Sequence, residues 1–513
     1  MKKTLIVLVG LFVLSAVVIC GAGITIGANI EHVWFEENAV YGNASEVEGV
    51  IIHRNLKWED KMFWNVTYVV GDEKESKTEF ESYMYDKTER HQLNYPSFLF
   101  INPNETFDPR LEYGQGGGFG LQKAFEELVK EAPNNETTHK TIRVKDYTQY
   151  YAFGLSVETE DTYFWIEENN ADDFASEEVV RKQQELLAHF NDFFRIPVID
   201  NEYSQIGVNK DKNGEIIGYY YEHDKGTSVS GEIDLEIDLP VDVDTFWFEV
   251  DSVNKDDTCY FTFQPYTSCG AIVDTSLIPG GYGVYSFKYD DGFVDKDSLT
   301  LEYSLEPYGY VNLEIDSQQN NLLVFFERKN ELDQVESCLT VLDLKTLEEK
   351  QTIVYGKLNE ESPTRCYFIE DDFVVAQYDY KEAALLSRRE NGTYQYEFVV
   401  PGIAMPSGDT YFLSGRNCFD WNGKKLLVAG ENRKVPEEYL QEEYTQYNPL
   451  TGTVTIVYGR YVTSCGFFLG VFDANGMSYY GEYTCGLDTD WYSEKTCTTT
   501  ITDSIRIFWP ESD

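Results

Sequence analysis

The sequence NKDKNGEIIG carries alternating oxygen-bearing side chains that could bind a divalent cation. Asn209, Asp211 and Asn213 have the spacing of the first ligands in a calcium loop, and Gly214 suits the turn that such a loop requires. Tyr220 stands where the loop needs a bidentate glutamate, and its first position is asparagine rather than aspartate. The pattern therefore favours a plain Asn-Gly hairpin, with a Ca²⁺ site at Asn209, Asp211 and Asn213 as the alternative.

A second acidic pattern lies in GEIDLEIDLPVDVDTFWFE, where acidic and apolar residues alternate. The acidic members are Glu232, Asp234, Glu236, Asp238, Asp242 and Asp244. On a strand they share one face, because successive side chains point to opposite sides. Such a face could bind divalent cations or a basic partner, but a solvated outer strand that resists edge-to-edge aggregation is favoured.

Signatures of nucleophilic or zinc-dependent hydrolysis are absent from the sequence. It contains no Gly-x-Ser-x-Gly and no His-Glu-x-x-His, and its six histidines are scattered singly up to His223. A pair of carboxylates, as used in glycoside hydrolysis, stays open because 89 acidic residues offer many candidates. Only geometry can select such a pair.

The charge balance restricts the partners of this chain. Its 41 basic and 89 acidic residues give a net charge of −48. This charge opposes binding to nucleic-acid phosphates and anionic lipid, and suits cations or basic partners better. With 15% aromatic residues the chain has ample material for packed cores, and its 513 residues predict at least two domains.

The N-terminus predicts export. Lys2 and Lys3 precede an uncharged run from Thr4 to Asn29, long enough to cross a bilayer as one helix. We expect an uncleaved anchor with the bulk of the chain outside the cell membrane; cleavage near Cys20 is the main alternative, and lipid attachment at Cys20 is a further one.

Eight further cysteines occur in the C-terminal half. They are Cys259, Cys269, Cys338, Cys366, Cys418, Cys465, Cys485 and Cys497. An even number in an exported chain predicts disulfides, at least three in this case, with buried free thiols as the alternative.

Two helices are predicted between residues 30 and 205. LQKAFEELVKEAP places Leu121, Ala124, Phe125, Leu128 and Val129 on one face before Pro133. SEEVVRKQQELLAHFNDFFRIP has a longer apolar stripe and a proline at its end.

Beyond about residue 204 the sequence indicates antiparallel hairpins and no helix. Asn-Gly pairs begin at Asn213, Asn391, Asn422 and Asn475 and predict tight type I′ turns. The string TIVYG occurs at Thr352 and again at Thr455, which suggests a unit of about 50 residues, the size of a four-stranded propeller blade.

The predicted fold is therefore mainly β in three parts. Residues 1–29 form a membrane segment, residues 30–205 an α+β membrane-proximal domain, and residues 206–513 an antiparallel β array. A β-propeller of about six blades is favoured for the array, with a series of β-sandwiches as the alternative.

For function, the sequence favours a membrane-anchored extracellular protein that binds a protein or glycan ligand or serves as a scaffold. The alternative is a surface enzyme that acts on glycans through paired carboxylates. A convergent acidic pair would favour the enzyme, and scattered carboxylates would favour binding.

Overall fold

The computed structural model describes twenty-one stretches of the chain. These are residues 33–58, 62–72, 75–82, 97–101, 122–151, 154–158, 185, 188–190, 192–222, 246–267, 273–290, 293–306, 308–316, 318–358, 365–379, 382–401, 418–431, 443–447, 454–458, 467–487 and 505–510. Nearly all of their regular structure is antiparallel β-sheet, as predicted.

The first half of the described chain holds thirteen strands and one complete α-helix. They are β1 (Val33–Gly42), β2 (Ile51–Trp58), β3 (Met62–Val69), β4 (Lys77–Ser82), β5 (Ser97–Ile101), α1 (Gln122–Glu131), β6 (Thr137–Arg143), β7 (Gly154–Glu158), β8 (Tyr203–Lys210), β9 (Ile216–Glu222), β10 (Phe246–Lys255), β11 (Thr258–Thr267), β12 (Gly283–Asp290) and β13 (Phe293–Ser304). Short 3-10 helices lie at Ala44–Glu46 and Val144–Asp146.

Fifteen further strands follow in the second half. They are β14 (Val311–Ile315), β15 (Asn321–Lys329), β16 (Val335–Asp343), β17 (Glu349–Leu358), β18 (Arg365–Ile369), β19 (Phe373–Asp379), β20 (Glu382–Arg388), β21 (Tyr394–Pro401), β22 (Cys418–Trp421), β23 (Leu426–Glu431), β24 (Glu443–Tyr447), β25 (Val454–Tyr458), β26 (Phe467–Asp473), β27 (Gly476–Leu487) and β28 (Ile505–Phe508).

Six sheets account for most of these strands. Sheet 1 has the order β28-β2-β3-β4 and sheet 2 the order β6-β8-β9. Sheets 3, 4 and 5 are consecutive four-stranded meanders, β10 to β13, β14 to β17 and β18 to β21. Sheet 6 has the order β1-β27-β26-β23-β22, and β5-β7 and β24-β25 are separate pairs.

Consecutive sheets pack face to face. One buried apolar cluster joins each neighbouring couple: sheets 2 and 3, 3 and 4, 4 and 5, 5 and 6, and 6 and 1. Sheets 3 to 6 each take part in two of these clusters, so their central strands are apolar on both sides. In β15, for example, Leu322 and Val324 pack towards sheet 3 whereas Leu323 and Phe325 pack towards sheet 5.

Strands from the beginning and the end of the described chain pair with each other in two of the sheets. Strand β1 pairs with β27, and β28 pairs with β2. Sheets 1, 2 and 6 therefore combine strands from before and after the predicted boundary at residue 205, which itself falls inside β8. The six sheets consequently use more of the chain than residues 206–513 alone.

The helix prediction for LQKAFEELVKEAP is confirmed by α1. Ala124, Phe125 and Leu128 are fully buried in the cluster shared by sheets 2 and 3. For the second predicted helix, residues 185, 188–190 and 192–193 are described and helical, and Phe190 and Phe194 enter the same cluster.

All four Asn-Gly pairs lie in hairpin turns, but the prediction of type I′ geometry is wrong. Gly214, Gly392, Gly423 and Gly476 have positive φ, whereas none of the preceding asparagines does. At the β20–β21 turn, Gly392 N–H donates to the Arg389 carbonyl and Arg389 N–H donates to the Thr393 carbonyl. This is a type I turn followed by a left-handed glycine, the three-residue hairpin loop.

The first TIVYG string lies within β17, and the first four residues of the second lie within β25; each of these strands pairs antiparallel with the strand before its turn. The first is the fourth strand of sheet 4, whereas the second belongs to the isolated pair β24-β25, inserted between β23 and β26. The strings therefore mark hairpins but not equivalent positions, so they are no evidence for a repeat. A four-strand unit does recur, in sheets 3, 4 and 5.

The prediction of at least three disulfides is wrong. Cys259, Cys338 and Cys418 are free and buried, in three different sheets. With these three excluded, the other five cysteines allow two disulfides at most. Burial raises the pKa of all three thiols, that of Cys338 to about 11 and that of Cys418 to about 12. They are inert core residues.

The predicted membrane segment, residues 1–29, lies outside the described residues. Within the part that the structure describes, no helix has the length and hydropathy needed to cross a bilayer. The membrane anchor stays a prediction.

Candidate functional site

The residues predicted to bind calcium lie on and beside the β8–β9 turn. Both carboxylate oxygens of Asp211 are engaged within the turn: Oδ1 accepts the N–H groups of Asn213 and Glu215, each at 2.8 Å, and Oδ2 accepts Asn213 Nδ2 at 3.0 Å. Asn209 lies within β8, opposite Thr137 of β6. These contacts stabilise a hairpin turn, and calcium binding there stays a prediction.

No other metal centre emerges from the described residues. Among them, no three His, Cys, Asp or Glu side chains converge in a way that could hold a metal ion. The acidic alternation from Glu232 to Asp244 lies outside the described residues.

A carboxylate pair occurs where the first strands of sheets 3 and 4 meet. Strand β14 contacts β10, and on its other side it contacts β18 of sheet 5. Asp251 of β10 and Glu314 of β14 are both half-buried, and the charge of Asp251 acts on Glu314. This pair, with Asn312 of β14 donating to Asp251, is the candidate site.

Asp251 is held firmly by its neighbours. Its Oδ2 accepts the Leu313 N–H and Asn312 Nδ2, both at 2.6 Å, and its Oδ1 accepts the Ser252 N–H at 2.9 Å. Strand β14 has no sheet partner on this edge, so its outward N–H groups need other acceptors. Asp251 supplies one and thereby joins sheets 3 and 4.

Glu314 is the titratable member of the pair. Burial, and then the charge of Asp251, raise the pKa of Glu314 to about 7. Burial also raises the pKa of Asp251, but its three hydrogen bonds oppose that rise because they stabilise the ionised form. Because the charge of Asp251 contributes to the raised pKa of Glu314, Asp251 is ionised while Glu314 keeps its proton to near neutral pH.

This protonation state defines what the pair can do. A protonated Glu314 can donate a hydrogen bond, whereas the ionised Asp251 only accepts. Together, the two carboxyl groups suit a ligand with neighbouring hydroxyl groups, or a proton transfer to a bound substrate.

A second acidic group surrounds the ends of β18 and β22. Burial, and then the charges of Asp371, Asp420 and Asp372, raise the pKa of Glu370, while Arg506 opposes this rise. Asp420 Oδ2 accepts the Trp509 N–H at 2.6 Å, so this carboxylate anchors the end of the chain. Its role is structural.

Sequence patterns did not single out Asp251 or Glu314. Each is one acidic residue among 89 and belongs to no motif. The feature that could have identified them is their position, because each lies in the first strand of a four-strand unit. That position becomes evident only when the sheets are assigned.

The chain matches no protein-family model and no curated protein. Solved structures with weak similarity include the following three. A functionally unknown protein from Desulfotomaculum acetoxidans DSM 771 is 12% identical, with 62% of this chain and 86% of that chain covered and a TM-score of 0.21. The GH43_1 enzyme from Xanthomonas citri in complex with xylose is 8% identical, with 46% and 85% covered and a TM-score of 0.22. A neuraminidase-like protein from A/bat/Guatemala/164/2009 is 12% identical, with 57% and 80% covered and a TM-score of 0.16. Similarities with TM-scores this low carry no argument about function.

Proposed function

We propose that the protein is an extracellular binding protein, held at the membrane by residues 1–29, whose ligand contacts the first strands of the sheets. Its sheets are proposed to form a β-propeller. Three successive four-stranded meanders, packed in chain order, support this arrangement, as do the pairing of β1 with β27 and the pairing of β28 with β2.

The observation that carries the proposal is the pairing of Asp251 with Glu314 on adjoining first strands. An ionised acceptor beside a neutral donor complements the hydroxyl groups of a glycan, which we propose as the ligand class. The net charge of −48 further disfavours anionic ligands. A protein ligand is the other class expected for an extracellular binding protein.

A glycan-acting enzyme is the second candidate function. The raised pKa of Glu314, about 7, suits a general acid beside an ionised carboxylate. Against this candidate, Asp251 already accepts three hydrogen bonds from the protein, which lower its basicity and make it a poor nucleophile or base. A carboxylate with three such bonds can still accept one more from a bound ligand. Binding without turnover is therefore favoured.

Binding to an array of neutral and acidic glycans tests the proposal. The full-length chain is compared with Glu314→Ala and with Glu348→Ala, a control at an exposed position in the β16–β17 turn. We expect the wild type and the control to select the same neutral glycans, and Glu314→Ala to lose at least about tenfold in affinity, since a hydrogen bond involving a buried group is removed.

Two results would contradict the proposal. One is an array on which no glycan binds, and the other is equal binding by Glu314→Ala and the control. Release of reducing ends from a selected glycan, abolished by the same variant, would establish the enzyme instead.

A further inference from the structure

The last described residues, 505–510, fill a groove built by distant parts of the chain. Strand β28 pairs with β2 over four residues, Ile505 opposite Arg54 through Phe508 opposite Ile51, and it contacts β22 and β23. Without β28, β2 would be the edge strand of sheet 1 and its outward backbone groups would lack sheet partners.

The side chains of this segment alternate between groove and solvent. Ile505 and Ile507 are 5% and 3% exposed, in the cluster between sheets 6 and 1. Arg506 and Phe508 are exposed, and the Phe508 ring lies edge-on to His53 at 5.5 Å. This alternation is how an extended peptide is recognised when it adds to a sheet edge.

Trp509 fixes the position of the segment along the groove. Its backbone N–H donates to Asp420 Oδ2 at 2.6 Å, and its indole Nε1–H donates to the Asp420 carbonyl at 3.2 Å. Both bonds reach β22 of sheet 6, whereas the strand itself pairs with sheet 1. The segment therefore bridges two sheets.

We propose that residues 505–510 act as a docked peptide that closes the sheet series, and that the groove formed by β2, β22 and β23 is a peptide-binding site for this segment. The recognised pattern is two β-branched apolar residues at alternate positions followed by tryptophan. The groove holds the chain's own C-terminal segment as its ligand.

Peptide complementation tests this inference in the full-length chain. The double variant Ile505→Asp, Ile507→Asp places charges in the apolar groove and should release the segment, lowering the melting temperature by roughly 5 °C. A synthetic peptide of residues 503–513 should then bind one per chain and restore most of the loss. The Glu348→Ala variant, changed at an exposed position in the β16–β17 turn, should melt as the wild type does.

The inference is overturned if the folded double variant binds no peptide, or if the peptide carrying both aspartates binds equally well. Should the double variant not fold, Asp420→Ala provides a second route. Loss of the Trp509 bond should let carboxypeptidase trim beyond residue 505 in a chain whose circular dichroism is unchanged. Trimming that stops at the same residue in wild type and Asp420→Ala would overturn the inference as well.

Discussion

At the residue scale, Glu314 couples the stability of the protein to pH. Its folded pKa, about 7, lies above its ordinary value of 4.5. Between these two values the folded chain holds a proton that the unfolded chain has released, so stability falls as the pH rises through this window. This loss in the free energy of unfolding is absent below about pH 4.5 and complete above about pH 7, and it amounts to roughly 3 kcal/mol at most.

Replacing Glu314 by glutamine removes this pH-dependent loss of stability. We expect Glu314→Gln to melt roughly 2 to 3 °C above the wild type at pH 8, and at the same temperature as the wild type at pH 4. Glu348→Gln, at an exposed turn position, should follow the wild type at both pH values. Thermal denaturation by circular dichroism measures this. Equal differences at pH 4 and pH 8 would show that Glu314 is not the titrating group.

At the element scale, Gly356 allows sheets 4 and 5 to approach each other. A Cβ at this position of β17 would lie 2.3 Å from Cγ of the buried Tyr378 in β19. The Tyr378 hydroxyl donates to Glu382 Oε2 at 2.7 Å, so moving the ring also disturbs a hydrogen bond. The glycine of the first TIVYG string is thus required by packing rather than by a turn.

Gly356→Ala should therefore destabilise the protein by roughly 2 to 3 kcal/mol through overpacking. Gly423→Ala is the comparison, because nothing lies within 4 Å of its Cβ and only its φ of +85° opposes a side chain. That change should cost about 1 kcal/mol. Urea denaturation compares the two, and a Gly356→Ala midpoint at or above that of Gly423→Ala would refute the packing argument.

Elements were predicted more successfully than their arrangement. Apolar periodicity identified α1, and the Asn-Gly pairs identified four hairpins, because both signals are local. The pairing of β28 with β2 joins residues more than 450 positions apart, and no local signal records it. The TIVYG match misled for a related reason: short strand sequences satisfy local β preferences in an inserted hairpin as well as in a main sheet.

The disulfide prediction failed because buried free thiols explain the same cysteines equally well. A buried thiol behaves as a small apolar side chain, so an even cysteine count in a β-rich sequence also fits packed cores. Cys259, Cys338 and Cys418 belong to that second case. The candidate site could not be predicted either, since Asp251 and Glu314 are 63 positions apart and meet only through sheet packing.

At the scale of the whole molecule, polar contacts supplement the apolar clusters between sheets. Asp316 is 1% exposed and accepts four hydrogen bonds. Its Oδ1 accepts the N–H groups of Asn320 and Asn321 at 2.8 and 3.2 Å, and its Oδ2 accepts Asn321 Nδ2 at 2.6 Å and Arg388 Nη2 at 3.3 Å. Because Arg388 ends β20, this ion pair joins sheet 5 to the hairpin of sheet 4.

Asp316→Ala should cost roughly 3 to 5 kcal/mol, because it leaves Arg388 buried without this carboxylate. Asp192→Ala is the control, since it removes an exposed ion pair with Arg195 and should change stability by about 1 kcal/mol or less. The urea midpoints of the two variants decide the matter. Similar midpoints would mean that this ion pair adds nothing to the packing of sheet 4 on sheet 5.

The pH dependence of glycan binding tests the central claim most directly. For a glycan selected on the array, we predict that the affinity of the wild type falls as the pH rises through about 7, since Glu314 loses the proton that it donates. Glu314→Gln, which keeps a donor at every pH, should bind without this fall. Isothermal titration calorimetry from pH 5 to pH 9 provides the comparison. The same pH profile in both proteins, or an affinity that rises with pH, would contradict the account.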